Sequence, residues 1–266
     1  DNAPQTATAF GGKYEKGALS GTVSFTAPTA TMGGSTLSGS LSYTLCVDDK
    51  AEQTATGTTT AGETVTLQKQ LDRGMHYLKV ATQNTAGRSP WAYSYFWAGT
   101  DEVEAKDAIA IEDKGAVQVT WEAPTAGVHD GYYDPTDVKY VVTRQPDNVK
   151  VYEGTATSCT DNTIGGLQYG FYYYEVVAMT GGYSGEAVKT DKLQLGTVAS
   201  LPYEMLFDSE TECNSLVIED TNEDGYTWEP FFDCMMCGSS EAGLDDDDWV
   251  ITPPFNLSTD SVYQVS

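Results

Sequence analysis

An internal repeat constrains this chain more than any other feature. Val23-Ser-Phe-Thr-Ala-Pro28-Thr-Ala and Val119-Thr-Trp-Glu-Ala-Pro124-Thr-Ala match at a spacing of 96 residues, and Leu71-x-x-Gly74 answers Leu167-x-x-Gly170 in the same phase. Between these anchors Tyr43-x-Leu45 answers Tyr140-x-Val142 and Gly57 answers Gly154 at a spacing of 97, as one inserted and later compensated loop residue would produce. Such a period is longer than the roughly 20–50 residues of a solenoid unit and suits a whole sandwich domain of about 100 residues.

The apolar residues inside each copy alternate with period two, the pattern of half-buried antiparallel strands. Val117, Val119 and Trp121 share one face; so do Tyr140 and Val142, and Tyr172, Tyr174, Val176 and Ala178. The first copy shows Val23 and Phe25, Tyr43 and Leu45, then His76, Leu78, Val80 and Thr82. Turn clusters such as Met32-Gly-Gly-Ser-Thr, Asp147-Asn148 and Gly181-Gly182 punctuate the strands, and no stretch sustains a 3.6-residue apolar period. The spacing predicts an all-β chain with one sandwich over residues 1–99 and a second over 100–197, joined near Gly99-Thr-Asp-Glu102.

These residues resemble the fibronectin type III family, in the tandem form found in secreted Bacteroidetes proteins. The resemblance rests on Trp121 or Phe25 followed by Ala-Pro, on Tyr140 or Tyr43 in the next strand, and on Leu-x-x-Gly leading into an aromatic-rich strand. Asn84-Thr-Ala-Gly87-Arg-Ser89-Pro looks like the family's last hairpin. Where the family places a corner tyrosine, the second copy has Tyr172 and the first has His76. The resemblance therefore implies a corner hydrogen bond in the second copy and leaves the first without its usual tyrosine.

Composition changes after Leu195-Gly-Thr-Val-Ala-Ser200. Residues 201–266 hold sixteen Asp or Glu and no Lys or Arg, out of a whole-chain net charge of −25. Carboxylates crowded within a few ångströms repel by about 4 kcal/mol per pair at an effective dielectric near 20, so they must splay into water or share a cation. Asp220-Thr-Asn222-Glu-Asp224-Gly225 puts oxygen ligands on alternate residues before a glycine, as a calcium loop does, although position 12 is Phe231 and the same spacing serves plain Asx-turns. The run Asp245 to Asp248 reads on its own as a solvated loop.

Leu201-Pro-Tyr203-x-x-x-Phe207, the Asp220 to Trp228 stretch and Asp247-Asp-Trp249-Val-Ile-Thr-Pro-Pro254-Phe-Asn-Leu257 together resemble the first half of the cleaved-adhesin, or choice-of-anchor J, domain. That resemblance implies a β jelly roll, incomplete over 198–266 because such domains run to about twice this length. It also implies bound calcium on Asp220, Asn222 and Asp224, with Asp247 or Asp248 as remote ligands. Cys213, Cys234 and Cys237 in the same segment are open to a disulfide, to half a zinc site or to free thiols.

Several function classes are disfavoured. Asp+Glu 39 against Lys+Arg 14 repels phosphate backbones and anionic lipid, so nucleic acid is not an expected partner. No run of eighteen apolar residues is present, so no membrane insertion is expected. The chain begins at Asp1 without an apolar leader, so any secretion signal is expected to be absent from it. The two histidines, His76 and His129, stand near no nucleophile-elbow motif, no phosphate loop follows a strand, and the carboxylates sit in Gly/Asn-rich loops; no enzyme is expected within these residues.

Aromatic residues supply the other candidate chemistry. Trp91, Tyr93, Tyr95 and Trp97 alternate along one strand, either packing on a neighbour or offering a ligand platform, and Tyr132-Tyr133 forms a second candidate contact. The reading is a non-catalytic, secreted or cell-surface protein that adheres to a host or matrix protein or to a glycan. The alternative is a spacer belonging to a larger secreted protease or glycoside hydrolase.

Overall fold

The structure, a computed structural model, describes residues 2–207, 210–213, 216–222, 225–232, 234–237 and 247–264. It is all-β apart from single turns of helix. The strands of the first copy are β1 (Thr8–Lys13), β2 (Ser20–Thr26), β3 (Ser40–Val47), β4 (Ala55–Thr60), β5 (Thr64–Gln70), β6 (Gly74–Asn84), β7 (Gly87–Arg88) and β8 (Ala92–Ala98). They form two antiparallel sheets, β1-β2-β5 and β4-β3-β6, with β7 and β8 both paired to β6. Threonine and valine fill these strands because branched side chains suit a pleated, half-buried surface.

Inward positions of the two sheets meet in one core. Val23 and Phe25 from β2 pack with Leu41, Leu45 and Val47 from β3 and with Leu78 and Val80 from β6. The Tyr43 ring meets Phe25 edge-on at 5.2 Å. Tyr14 lies against this core with its ring stacked 5.6 Å from Phe96, its hydroxyl donates to the Lys69 carbonyl, and burial pushes its phenol up to about 12.

The second copy contributes β9 (Lys106–Asp113), β10 (Ala116–Glu122), β11 (Lys139–Gln145), β12 (Val149–Gly154), β13 (Ser158–Asp161), β14 (Gly170–Thr180), β15 (Tyr183–Ser184), β16 (Val188–Lys189) and β17 (Leu193–Leu195). One sheet is β13-β10-β9; the other runs β12-β11-β14, with β15, β16 and β17 also paired to β14. Val117 and Val119 of β10, and Tyr174 and Val176 of β14, are fully buried, on the faces the alternation predicts.

The corner positions correct one expectation. Tyr172 donates its hydroxyl to the carbonyl of Gln168, four residues upstream, at 3.0 Å. His76 makes the corresponding contact: its Nε2 lies 2.9 Å from the carbonyl of Asp72, also four residues upstream, and its Nδ1 lies 2.6 Å from Asp48 Oδ2. Imidazole thus closes the corner that the resemblance left without its tyrosine, because a ring N–H reaches the same carbonyl.

The described residues beyond 198 form a short helix, α1 (Glu210–Cys213), and two antiparallel pairs: β18 (Val217–Asp220) with β21 (Asp248–Ile251), and β19 (Glu229–Phe231) with β20 (Cys234–Met236). Tyr203 and Phe255 meet edge-on at 5.1 Å. The chain divides into two compact units: Asp1–Lys106, Ala123–Tyr140 and Val177–Ala187 in one, and Asp107–Glu122, Val141–Val176 and Val188–Ser266 in the other. No helix among the described residues is long and apolar enough to cross a membrane.

Candidate functional site

Strand parity decides which rings of the first unit are presented. In β8, Ala92, Ser94, Phe96 and Ala98 turn inward, so Tyr93, Tyr95 and Trp97 turn outward, spaced by about 6.8 Å per two residues. The register places Lys79 opposite Tyr93, Tyr77 opposite Tyr95 and Met75 opposite Trp97. Tyr93 is 55% exposed and Tyr95 72%. The Tyr77 hydroxyl and the Lys79 ammonium are both held by Asp49, which fixes the row beside them.

The two tryptophans at the ends of the stripe are already occupied. Trp91 has the Lys79 ammonium 5.0 Å and the Arg88 guanidinium 4.9 Å from its ring. Trp97 lies flat against His129, with ring centroids 4.2 Å apart and 8° between planes. Arg73 sits 5.1 Å from the Trp97 ring and 3.7 Å from that of Tyr183, donates from Nε to the Thr100 carbonyl at 2.6 Å, and pairs with Glu102. The stripe is therefore split: its middle rings face solvent, and its outer rings carry cations or an imidazole.

His129 is positioned by Asp101, a fully buried carboxylate that sequence reasoning did not single out. Its Oδ1 accepts from the backbone of Glu102 at 3.0 Å and from His129 Nδ1 at 2.8 Å. Its Oδ2 accepts from the backbones of His129 at 2.7 Å and Gly131 at 3.0 Å. The loop can wrap this side chain only because Gly127 and Gly131 lack Cβ atoms: one at Gly127 would fall 2.4 Å from Asp101 Oδ2, and one at Gly131 would fall 2.5 Å from the Trp97 ring. Ligand atoms of Asp101, Glu102 and His129 lie within 4.8 Å of one another. Even so, the Asp101 oxygens already accept four hydrogen bonds and Glu102 is held by Arg73, so this group is an anchor and not a metal centre.

Next to the anchor lies a cavity of about 500 Å³, lined chiefly by Met75, Tyr95, Trp97, His129, Asp130 and Tyr132. Tyr132 is 37% exposed, and its backbone carbonyl accepts from Asp101 N–H at 2.7 Å. Its neighbour Tyr133 turns away, donating its hydroxyl to the Pro124 carbonyl at 2.9 Å, and staples its own loop. The structure thus joins Tyr132 to the β8 stripe, although the two are far apart in sequence.

In the acidic segment the β18–β21 register sets Asp220 directly opposite Asp248. Asp220 Oδ2 accepts from Gly225 N–H at 2.9 Å, closing the turn. The Asp248 carbonyl accepts from Trp228 Nε1 at 3.2 Å, and its Oδ2 lies 3.5 Å from Cys237 Sγ. Its Oδ1 is buried with no hydrogen-bond partner among the described residues, so the donor set of Asp220 and Asp248 fits a hard oxygen-seeking cation. Asn222 and Asp247 are exposed nearby in sequence, while Asp224, Asp245 and Asp246 lie outside the described residues. Cys46, Cys159, Cys213 and Cys234 are thiols outside any disulfide.

No family model and no curated protein matches this chain. Among solved structures it is similar to the FN1–FN3 domains of chicken CNTN1, at 12% identity and a TM-score of 0.29 over 73% of this chain and 68% of that one. It is likewise similar to a two fibronectin type III domain segment from chicken tenascin, at 12% identity and a TM-score of 0.29 over 72% of this chain and 99% of that one.

Proposed function

We propose that this chain is a non-catalytic binding protein, secreted or displayed at a cell surface, that grips a partner with the aromatic face of its first unit. The carrying observation is the pair Tyr93 and Tyr95, open to solvent on a strand whose inner face is locked into the core. Exposed rings on a rigid strand lose little side-chain freedom when they are covered, which makes them efficient contact residues. Densely presented matrix proteins and glycans are the test panel for the immobilised chain. Binding that falls in Tyr93→Ala and Tyr95→Ala supports the reading; binding unchanged in both variants overturns it.

The acidic segment is read as an adhesin-like module with a calcium site on Asp220 and Asp248, together with Asn222, Asp224 and Asp247. The unpartnered Asp248 Oδ1 supports this. A cation that binds only the folded chain stabilises it by about 2.7 kcal/mol at a hundredfold excess over Kd. Calcium should therefore raise the melting temperature of the chain, and Asp248→Asn should abolish the rise. A melting curve indifferent to both calcium and chelator excludes the site.

A further inference from the structure

The aromatic face already shows which guest it accepts. Three basic side chains on this face or beside it lie over rings: Lys79 and Arg88 at Trp91, and Arg73 between Trp97 and Tyr183. Each is held by the ring quadrupole, and in two of the three cases a carboxylate completes the site: Asp49 for Lys79 and Glu102 for Arg73. The cavity beside Tyr95 repeats these ingredients, with no basic side chain of the described residues lying over the Tyr95 or Tyr132 ring. Tyr95 and Tyr132 offer exposed rings, and Asp130 is an exposed carboxylate with no ion pair among the described residues. Lys13, also on the rim, is neutralised by Glu15 at 2.7 Å.

We infer that this cavity receives an arginine or lysine side chain from a basic segment of a protein partner, with Tyr95 and Tyr132 against the cation and Asp130 as its counter-ion. This rests on the proposed binding function and goes beyond it by fixing the partner's chemistry. Charge complementarity points the same way, because a chain of net charge −25 attracts basic segments from a distance and repels acidic ones. The anchor behind the cavity adds preorganisation: Asp101 fixes His129 against Trp97, so the back wall is set before the guest arrives.

The test uses the full chain and a fluorescent peptide of alternating arginine and glycine, with a citrulline-for-arginine peptide as its neutral twin. Expected results are binding of the arginine peptide and not the citrulline peptide, weakening with added salt, and a drop of about three- to tenfold in Tyr95→Ala and in Tyr132→Ala. Tyr95→Phe should retain most of the affinity, since the ring face is kept, and Asp130→Asn should lose part of it. Diffuse attraction to an acidic surface would survive both alanine substitutions, because neither changes the net charge; equal binding by those variants overturns the inference. A neutral glycan that binds in a Tyr95-dependent, salt-independent manner while the arginine peptide does not bind would overturn it too, and would leave the broader binding function standing.

Discussion

Replacing Arg144 with alanine should lower the stability of the second unit by about 3–5 kcal/mol, the cost of stripping the partner from a buried charge. Arg144 is itself buried; its Nη1 donates to Asp161 at 2.5 Å and to Thr163 Oγ1 at 2.8 Å, and its Nε and Nη2 donate to Asp147. Asp161 is only 1% exposed and also accepts from the Tyr174 hydroxyl at 2.9 Å and the Thr163 backbone at 2.8 Å. Burial alone would raise the Asp161 carboxyl, but the bonds from Thr163, Tyr174 and Arg144 together hold it below its ordinary 3.8. A depressed folded value means that this contribution is complete above the unfolded carboxyl's value and fades as pH falls through the folded one. Urea titrations from pH 7 down to pH 2 should therefore show the native chain losing stability below about pH 4, while Arg144→Ala is already weak at pH 7. An Arg144→Ala chain with native stability at pH 7 would contradict the network's role.

Asp101→Ala should cost about 3 kcal/mol, because it leaves the backbone donors of Glu102, His129 and Gly131 and the His129 ring without their acceptor. The loss should be local before it is global. Amide exchange at His129 and Gly131 should accelerate, and Trp97 emission should change as its stacked imidazole is released. Asp101→Asn should fall between the two, since its amide oxygen can still accept while its NH₂ faces a donor. Unchanged exchange at His129 in Asp101→Ala would show that the loop is held by something else.

Much of this is legible in the sequence. The 96-residue phase and the period-two alternation place Val23, Phe25, Val117, Val119 and Tyr174 on buried faces, and all five are buried. Alternation also separates Tyr93 and Tyr95 from Phe96, because parity is a local property of the strand. What covers an outward ring is not local. Trp97 looks like Tyr95 in the sequence, and what distinguishes them is the cover supplied by His129, thirty-two residues away, and by Arg73. The signal available for that loop was the pair Gly127 and Gly131 bracketing His129, a spacing that allows backbone to close around a buried acceptor. The corner of the first copy departs from expectation for a different reason: it requires a donor at a given reach, and the His76 imidazole meets that need as a phenol does.

Strand β8 separates two kinds of selection by a single residue step. Changes at Ala92, Phe96 or Ala98 are paid in folding, whereas Tyr93 and Tyr95 meet mainly solvent and can be exchanged with little effect on the core. A lineage carrying this strand can therefore drift from one partner to another by altering alternate letters of seven, without passing through an unstable intermediate.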